Sequence, residues 1–533
     1  MNNTKVTVII VHWNTSEKLK KLLSLVAVNN SYQVIVVDNN SKKRPDWLKS
    51  NYSPVELMQN GFNRGYAAAC NQGMTKALGD CVLVLNPDVE ITPSQIDKLI
   101  IYAKTNDLDA CSVRTTESYR KPLPSWGSLL VEFTPLAKIF PLDIFKTKTL
   151  FGGCLLLKKS VIKKLGGFDE RFFLWFEDSD ITKRLIDNDY KIGWFDLPIK
   201  HSGGESFKLF ANQLKRDIFF SAMEIYANKH FSAFGKLIIY LLKRKYSTGK
   251  LLPHLQNITS ITVPNLKTRL LGDFFKKNQI YIDLKSGYTL QVEWIVVTSS
   301  ITNSHVWQWR RKYPGVRFIP IDNNKGFAST ANIGFRASSG NWLGTVNDDV
   351  LLTKDWLKNL LSSADNLIGS LNPVIKKPGG EIESMGVKIL PKGKAESITE
   401  NRIASHRSTT VSKNKREVDA TNAACVIYSK SALNKVGIFA EKFGSYLEDI
   451  DLSLRLKSAG FKNLVSPDSV VIHFGQSTSK DLRWKKQYLD CRNWFLVILR
   501  NWSVKDLIIN FPAILLERLK NISGLLKAVF NLF

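Results

Sequence analysis

Carboxylates at particular places in this 533-residue chain invite chemistry before any fold is considered. "LNPDV" (85–89) ends an apolar run on Asp88, and "VNDDV" (346–350) ends another on Asp349, with Asn86 and Asn347 two residues earlier in each. A bare carboxylate is costly to bury. Held at a strand end it is a hard oxygen ligand suited to Mg2+ or Mn2+, which would bridge to phosphate oxygens. Two acidic clusters follow, "FEDSD" (176–180) and "LEDID" (447–451). Acids collect in the first turn of a helix because the helix dipole favours them there, and Asp180 with Arg184 is an i,i+4 pair that Asp451 and Arg455 repeat. That accounts for Asp180 and leaves Glu177, Asp178, Glu448 and Asp449 over. His201 and His473 close the set. A lone histidine is usually structural, but this one recurs, in "KHSG" and "IHFG".

These groups must be positioned by elements that occur twice. Placing Asn63 on Asn324 aligns 27 residues without a gap, and nine are identical, among them Asn63, Gly65, Asn71, Gly73, Asn86 and Asp88. "LEDIDLSLRL" repeats "FEDSDITKRL" at an offset of 271. A repeat this long is a duplicated domain rather than a solenoid unit. Each copy reads as α/β. Residues 6–11, 34–37 and 82–85 are short aliphatic runs of the kind parallel strands show when both faces are covered, and "SEKLKKLLSLV" keeps helical spacing. In a doubly wound sheet ligands gather at the carboxyl ends of the strands, which places His12–Thr15, Asp38–Ser41 and Asn86–Asp88 around one cleft.

The quoted segments, with "VIIVHWNTSEKL", "VIVVDNNS", "NRGYAAACNQG" and "GGFDERFFLWFEDSDITKRL", resemble in order and spacing the inverting GT-A glycosyltransferases of family 2, nearest to the rhamnosyltransferase-like branch. The resemblance spans roughly residues 5–230 and, less completely, 291–500. It implies two tandem GT-A domains of Rossmann-like, nucleotide-diphospho-sugar transferase type with helical basic extensions. It makes Asp38 a grip on the nucleotide, although an Asx-turn explains Asp38 as well. It adds Asn14, Asn63, Arg64, Asn86, Asp88, Asn347 and Asp349 to donor binding, with Arg64 able to face a diphosphate; a structural turn explains the glycines there equally well. Asp88, His201, Asp349 and His473 become ligands of Mg2+ or Mn2+. Family members carry Asp-x-Asp where the first copy has Asn86-Pro87-Asp88, so one carboxylate remains. Asp178 becomes the general base, with Asp449 its counterpart. Glu177, Glu448 and Trp175 would contact the acceptor, core packing being an equal reading for Trp175 and Phe176. One base and one metal carboxylate at separate strand ends suit a transferase better than a glycosidase, which needs two paired carboxylates.

The second copy departs from the first. Thr298 stands where Asp38 would be, and no first strand and helix of equal length precede Gln291; only "IYIDL" (280–284) offers a strand. We therefore expect a transferase domain at 1–240, a basic helical linker at 241–277, a second GT-A-like domain with an eroded nucleotide half at 278–502, and an amphipathic tail at 503–533. The expected reaction moves a sugar, rhamnose among the candidates, from a nucleotide-diphosphate donor to a lipid-linked or growing cell-surface glycan. Both copies could act, or the second could be a non-catalytic glycan-binding or scaffolding copy.

Composition narrows the setting. The net charge is +28, and the surplus concentrates in residues 205–290 (14 Lys/Arg against 5 Asp/Glu) and 481–533 (9 against 4). Both segments carry aliphatic stretches, which together suggest an anionic membrane surface. The tail should form a helical face from Leu507 to Phe530, interrupted near Pro512, with Lys505, Arg518, Lys520 and Lys527 beside it. No nucleic-acid motif accompanies the charge, so nucleic acid is not an expected partner. Six cysteines without CxxC spacing read as buried thiols in a reducing compartment. The expected place is cytoplasmic, peripheral to the inner face of the cell membrane.

Overall fold

"VTVIIVH" is β-branched almost throughout, and in the structure Val6–His12 is a strand with every residue buried. The computed structural model describes residues 6–27, 31–52, 54–114, 121–197, 199–201, 211–247, 251, 256–265, 267–278, 292–362, 364–399, 415–475 and 483–530. By its contacts the chain forms two units, residues 1–256 with 301–319 and residues 257–300 with 320–533.

In the first unit Val6–His12 lies between Tyr32–Asp38 and Cys81–Leu85, parallel to both. The seven-stranded sheet runs Glu56–Gln59, Tyr32–Asp38, Val6–His12, Cys81–Leu85, Cys154–Lys158, Ala110–Arg114, Ile192–Asp196. Cys154–Lys158 is antiparallel to both its neighbours. The helix Ser16–Val26 buries Leu19, Leu22, Leu23 and Val26 on one side of the sheet. The helix Tyr66–Lys76 presents Ala67, Ala69, Cys70 and Met74 to the other. Small side chains there let it lie close: a Cβ on Gly73 would sit 2.7 Å from Ile9 Cγ2.

The second unit repeats this frame. Thr259–Asn265 is parallel to Val292–Thr298 and to Trp342–Val346, then Cys425–Ser429 runs antiparallel beside the latter. The register is the same as well. Val89 pairs with His201 in the first unit and Val350 with His473 in the second, antiparallel in both. Here the structure corrects the sequence reading. Residues 241–277 are not a linker: Thr259–Asn265 is the missing first strand and Thr268–Lys277 its helix. The strand was hidden because Thr259, Ser260 and Thr262 are polar yet buried, and Pro264 reads as a strand breaker. Pro264 is tolerated because pairing with Trp342–Val346 stops at Thr262. "IYIDL" lies outside the described residues.

Each sheet is followed by a helical hairpin, Asn212–His230 with Ala233–Tyr246 and Arg483–Asn501 with Val504–Phe530. The second pair begins 271 residues after the first, the offset of the acidic clusters, so the hairpin belongs to the duplicated unit. Within the expected 503–533 tail, the described residues 503–530 are thus no free tail. They form one helix to Phe530 with Pro512 inside it, rather than two pieces.

A buried acid helps fasten each hairpin. Asp180 is fully buried and meets Arg184 Nε at 2.8 Å, Lys229 Nζ at 2.6 Å and His230 Nε2 at 2.8 Å. Asp451, equally buried, meets Arg455 Nε at 2.9 Å, Arg500 Nε at 2.7 Å and Asn501 Nδ2 at 3.1 Å. Burial alone would push the Asp180 carboxyl up, but Arg184 and Lys229 beside it hold it well below the usual range.

Candidate active site

At the carboxyl end of the first sheet His12 is in register with Asp38. Asp38 is almost fully buried and accepts a 3.3 Å bond from the Ser41 amide, so the Asx-turn is present. Burial raises its carboxyl, and Ser41 opposes that. Burial also lowers His12, to about 4, which keeps the ring neutral near pH 7. Asn14 adopts a left-handed conformation (φ 56°). Its amide donates to Ser41 Oγ and its Oδ1 accepts from Lys42 N, both at 2.8 Å, so it ties the two strand-end loops together.

The glycine loop is built around a polar network that the sequence reading missed. Asn39 Nδ2 donates to Asn63 Oδ1 (2.7 Å), Asn60 Nδ2 donates to Gln72 Oε1 (2.9 Å), and the Arg64 amide donates to Asn39 Oδ1 (3.0 Å). Asn63 thereby shapes the turn, as its bond from the Gly65 amide (2.9 Å) also does. Asn324 does the same with Gly326 (2.8 Å). Gly65 has φ 83°, and a Cβ there would sit 2.7 Å from Phe173 O, so glycine is required. Arg64 is a correction. It is buried, and its Nη1 donates to the Pro314 carbonyl at 2.5 Å rather than facing an open cleft. Residue 314 is 250 positions away, and nothing local in the sequence announces it.

The acidic cluster is presented by strained backbone. Trp175 and Phe176 both have φ 66°, a region bulky L-residues rarely occupy, and Tyr446 and Leu447 repeat it at 72° and 66°. The turn puts Glu177 and Asp178 at the start of the helix Glu177–Asp187. Asp178 Oδ1 accepts from the Ser179 amide at 2.7 Å. A Cβ on Gly152 would lie 3.0 Å from Asp178 Cβ. The adjoining Gly153 carbonyl accepts from the Asn86 amide (2.9 Å), and Tyr66 Oη donates to Asn86 Oδ1 (2.8 Å) and Gly152 O (3.2 Å). Asp178, Gly152–Gly153, Tyr66 and Asn86 are therefore one packed group. "FGGC" recurs as "NAAC" at the 271 offset, a signal that could have marked this segment from sequence.

Glu177 is buried, and Oε2 has no hydrogen-bond partner among the described residues. Burial first, and then the neighbouring Asp178 charge, push its carboxyl up to about 8. Phe176 packs on Phe219 and Tyr226 as core, and Trp175 meets Phe219 edge-on at 5.7 Å. Asp88 Oδ1 lies 3.3 Å from His201 Nε2, at the short pairing of Val89 with His201. Among the described residues no three His, Cys, Asp or Glu side chains gather into a metal cluster. A hard carboxylate beside an imidazole nonetheless fits a divalent cation whose remaining ligands come from phosphate oxygens and water.

The second copy keeps the scaffold and changes the contacts. Thr298 Oγ1 donates to Asn265 Oδ1 (2.8 Å), Ser300 Oγ donates to the same oxygen (2.9 Å), and Asn265 Nδ2 donates to Asp348 Oδ2 (2.7 Å). Burial raises Asp348 to about 6. His473 lies 3.2 Å from Asp349 and 3.0 Å from Glu383, a carboxylate at each nitrogen. Ala423 and Ala424 replace the two glycines, and the Ala423 amide donates to Asp449 Oδ2 at 3.1 Å. Burial raises both Glu448 and Asp449. The Asn347 amide still donates to the Ala424 carbonyl at 2.8 Å.

With two α/β sheets, strand-end carboxylates and the strained Glu-Asp turn in both copies, the chain belongs to glycosyl transferase family 2, whose model matches residues 7–166 and again 284–435. The model described as the N-terminal domain of galactosyltransferase matches residues 144–203. A low-salt glycan biosynthesis hexosyltransferase of Haloferax volcanii is 26% identical over 35% of this chain and 63% of its own. An N-acetylglucosaminyl-diphospho-decaprenol L-rhamnosyltransferase of Mycobacterium tuberculosis is 26% identical over 32% of this chain and 63% of its own. A dolichol-phosphate mannosyltransferase of Pyrococcus furiosus is 32% identical over 30% of this chain and 47% of its own. The chain thus spans under two thirds of the length of these relatives. Among solved structures, GalNAc-T7 with UDP, GalNAc and Mn2+ aligns over 48% of each chain, at 14% identity and a TM-score of 0.34.

Proposed function

We propose that the chain is an inverting glycosyltransferase whose first copy moves a sugar from a nucleotide-diphosphate donor to a lipid-linked or growing glycan, at the inner face of a membrane. The observation that carries this is the packed group that sets Asp178 against Gly152–Gly153 and Asn86, on the strand-end loop that also holds Asp88. Asp38 grips the nucleotide as an acceptor-only group suited to ribose hydroxyls or an imide N–H. Asp178 takes the proton of the acceptor hydroxyl as that oxygen attacks the anomeric carbon, opposite the departing diphosphate. Burial and the neighbouring Asp178 charge raise Glu177, which suits it to donate a hydrogen bond. That leaves the base role to its neighbour and gives Glu177 an acceptor oxygen to orient. Trp175 would border the acceptor. Asp88 and His201 would hold Mg2+ or Mn2+, which neutralises charge on the leaving diphosphate.

Polar closure of the nucleotide end favours the second copy as a non-transferring partner. Asn265, Thr298, Ser300 and Asp348 satisfy one another where the first copy presents Asp38. His473 carries a second carboxylate, Glu383, and two methyl groups occupy the place of Gly152 and Gly153. The repeated Asp449 and Glu448 then hold scaffold or glycan.

The reading is tested by turnover of UDP-, GDP- and dTDP-sugars with the full chain, scored by release of nucleoside diphosphate and by the anomer formed. Inverted product with one of these donors is expected, and retention of configuration would overturn it. The metal has its own test. Asp88→Ala should remove the Mg2+ or Mn2+ dependence of donor binding, and wild-type turnover undiminished by EDTA would remove the metal from the reading.

A further inference from the structure

The helix Val504–Phe530 has two apolar faces, and only one is used within its unit. Ile514 is buried with Leu507 packed beside it, in a cluster with Trp494, Val497 and Ile498. Arg518 is buried too: its Nη2 donates to the Gly393 carbonyl (2.5 Å) and its guanidinium lies over Trp494. It is therefore a core residue and not one of the outward charges. Outward lies a second stripe, Val504, Ile508, Phe511, Leu515, Leu519 and Leu526, each 47–73% exposed. It runs about 33 Å at 1.5 Å per residue. Leu499 (73%) and Phe495 (44%) extend it onto the partner helix of the hairpin. Apolar surface of this length is uncommon on a face that meets only water.

The stripe recurs. In the first hairpin Leu237 and Tyr240 are each 54% exposed, and they stand at the positions of Ile508 and Phe511 in the repeat. Among the described residues the exposed charges around the second stripe are Lys485, Lys486, Lys505, Lys520 and Lys527, with Arg500 turned to Asp451, against Asp506, whose carboxylate accepts from Ser503 Oγ at 2.6 Å. A two-fold dimer through this stripe would bring those cations against their own copies. An anionic surface is complementary to them. No helix among the described residues is long and apolar enough to cross a membrane, so the stripe would lie in the interface plane.

We infer that the outward face of the C-terminal hairpin, centred on Ile508, Phe511, Leu515 and Leu519, is a docking surface for an anionic lipid bilayer. The inference rests on the reading that the acceptor is presented at a membrane, but its test needs no donor. The full chain is sedimented with vesicles of phosphatidylcholine alone and of phosphatidylcholine with phosphatidylglycerol. Binding is expected only to the anionic vesicles, weakening about fivefold for each of Lys505, Lys520 and Lys527 changed to Gln. Ile508→Glu with Leu515→Glu and Leu519→Glu should abolish it, while the thermal midpoint and nucleotide binding stay unchanged because these side chains touch solvent. Wild-type chain that ignores anionic vesicles at low salt would overturn the inference. So would a dimer in analytical ultracentrifugation that the triple variant dissociates, which would make the stripe a seam between copies. Transfer to a soluble acceptor by the triple variant separates this surface from the active site: turnover there with no vesicle binding leaves both readings intact. If vesicle binding persists in a chain that turns over no donor, only the transferase reading fails.

Discussion

Asp178→Asn should lower transfer by roughly 10²-fold or more while leaving nucleoside diphosphate affinity near wild type. The amide keeps the shape and can still accept from the Ser179 amide, but it cannot take the acceptor's proton. Loss of kcat with unchanged donor binding is the mark of a group used in the transition state. If, as proposed, the second copy grips no donor, Asp449→Asn made in parallel should leave turnover within about twofold. Turnover near wild type in Asp178→Asn would move the base elsewhere, Glu177 first. Equal losses in both variants would make both copies transferases.

The second large effect is on stability. Asp180→Ala removes the acid that Arg184, Lys229 and His230 share, leaving Lys229 with Asp169 (2.9 Å) and Arg184 with the Leu165 and Gly167 carbonyls. Breaking a buried ion pair by removing one partner costs on the order of 3–5 kcal/mol, and it weakens the hold of the hairpin Asn212–Tyr246 on the helix that carries Asp178. Urea denaturation should show the unfolding free energy of the first unit falling by an amount of that size, with Asp451→Ala doing the same to the second unit. The sign with pH follows from the direction of the shift. A carboxyl whose folded pKa is depressed stabilises above its unfolded value of about 4 and loses that contribution as pH falls through the folded value. Asp180→Ala should therefore flatten the acid limb of the stability curve.

The sequence discloses those parts of the fold that rest on local pattern. The repeat, the alternation of aliphatic runs with helical spacing, and the acidic helix starts all follow from residues that are neighbours in the chain. Asp180 with Arg184 is legible because i and i+4 meet on a helix; Lys229 and His230, about fifty residues on, are not, because only packing brings them there. The strand Thr259–Asn265 escaped notice because its buried Thr and Ser give no apolar signal and Pro264 argues against a strand. Arg64 looked like a phosphate ligand from its loop, yet burial against Pro314 commits it to the frame. In the last helix the 3,4 spacing was visible, but periodicity cannot say which apolar stripe is inward. Ile514 and Arg518 took the core side, leaving Ile508, Phe511 and Leu515 outside.

The central claim is that this chain is a sugar-nucleotide transferase working through its first copy, and calorimetric titration with nucleoside diphosphates in the presence of Mg2+ or Mn2+ tests it most directly. We expect one nucleoside diphosphate bound per chain, lost in Asp38→Ala and retained in Thr298→Ala. Two equivalent sites per chain, or none for any nucleoside diphosphate, would contradict the account.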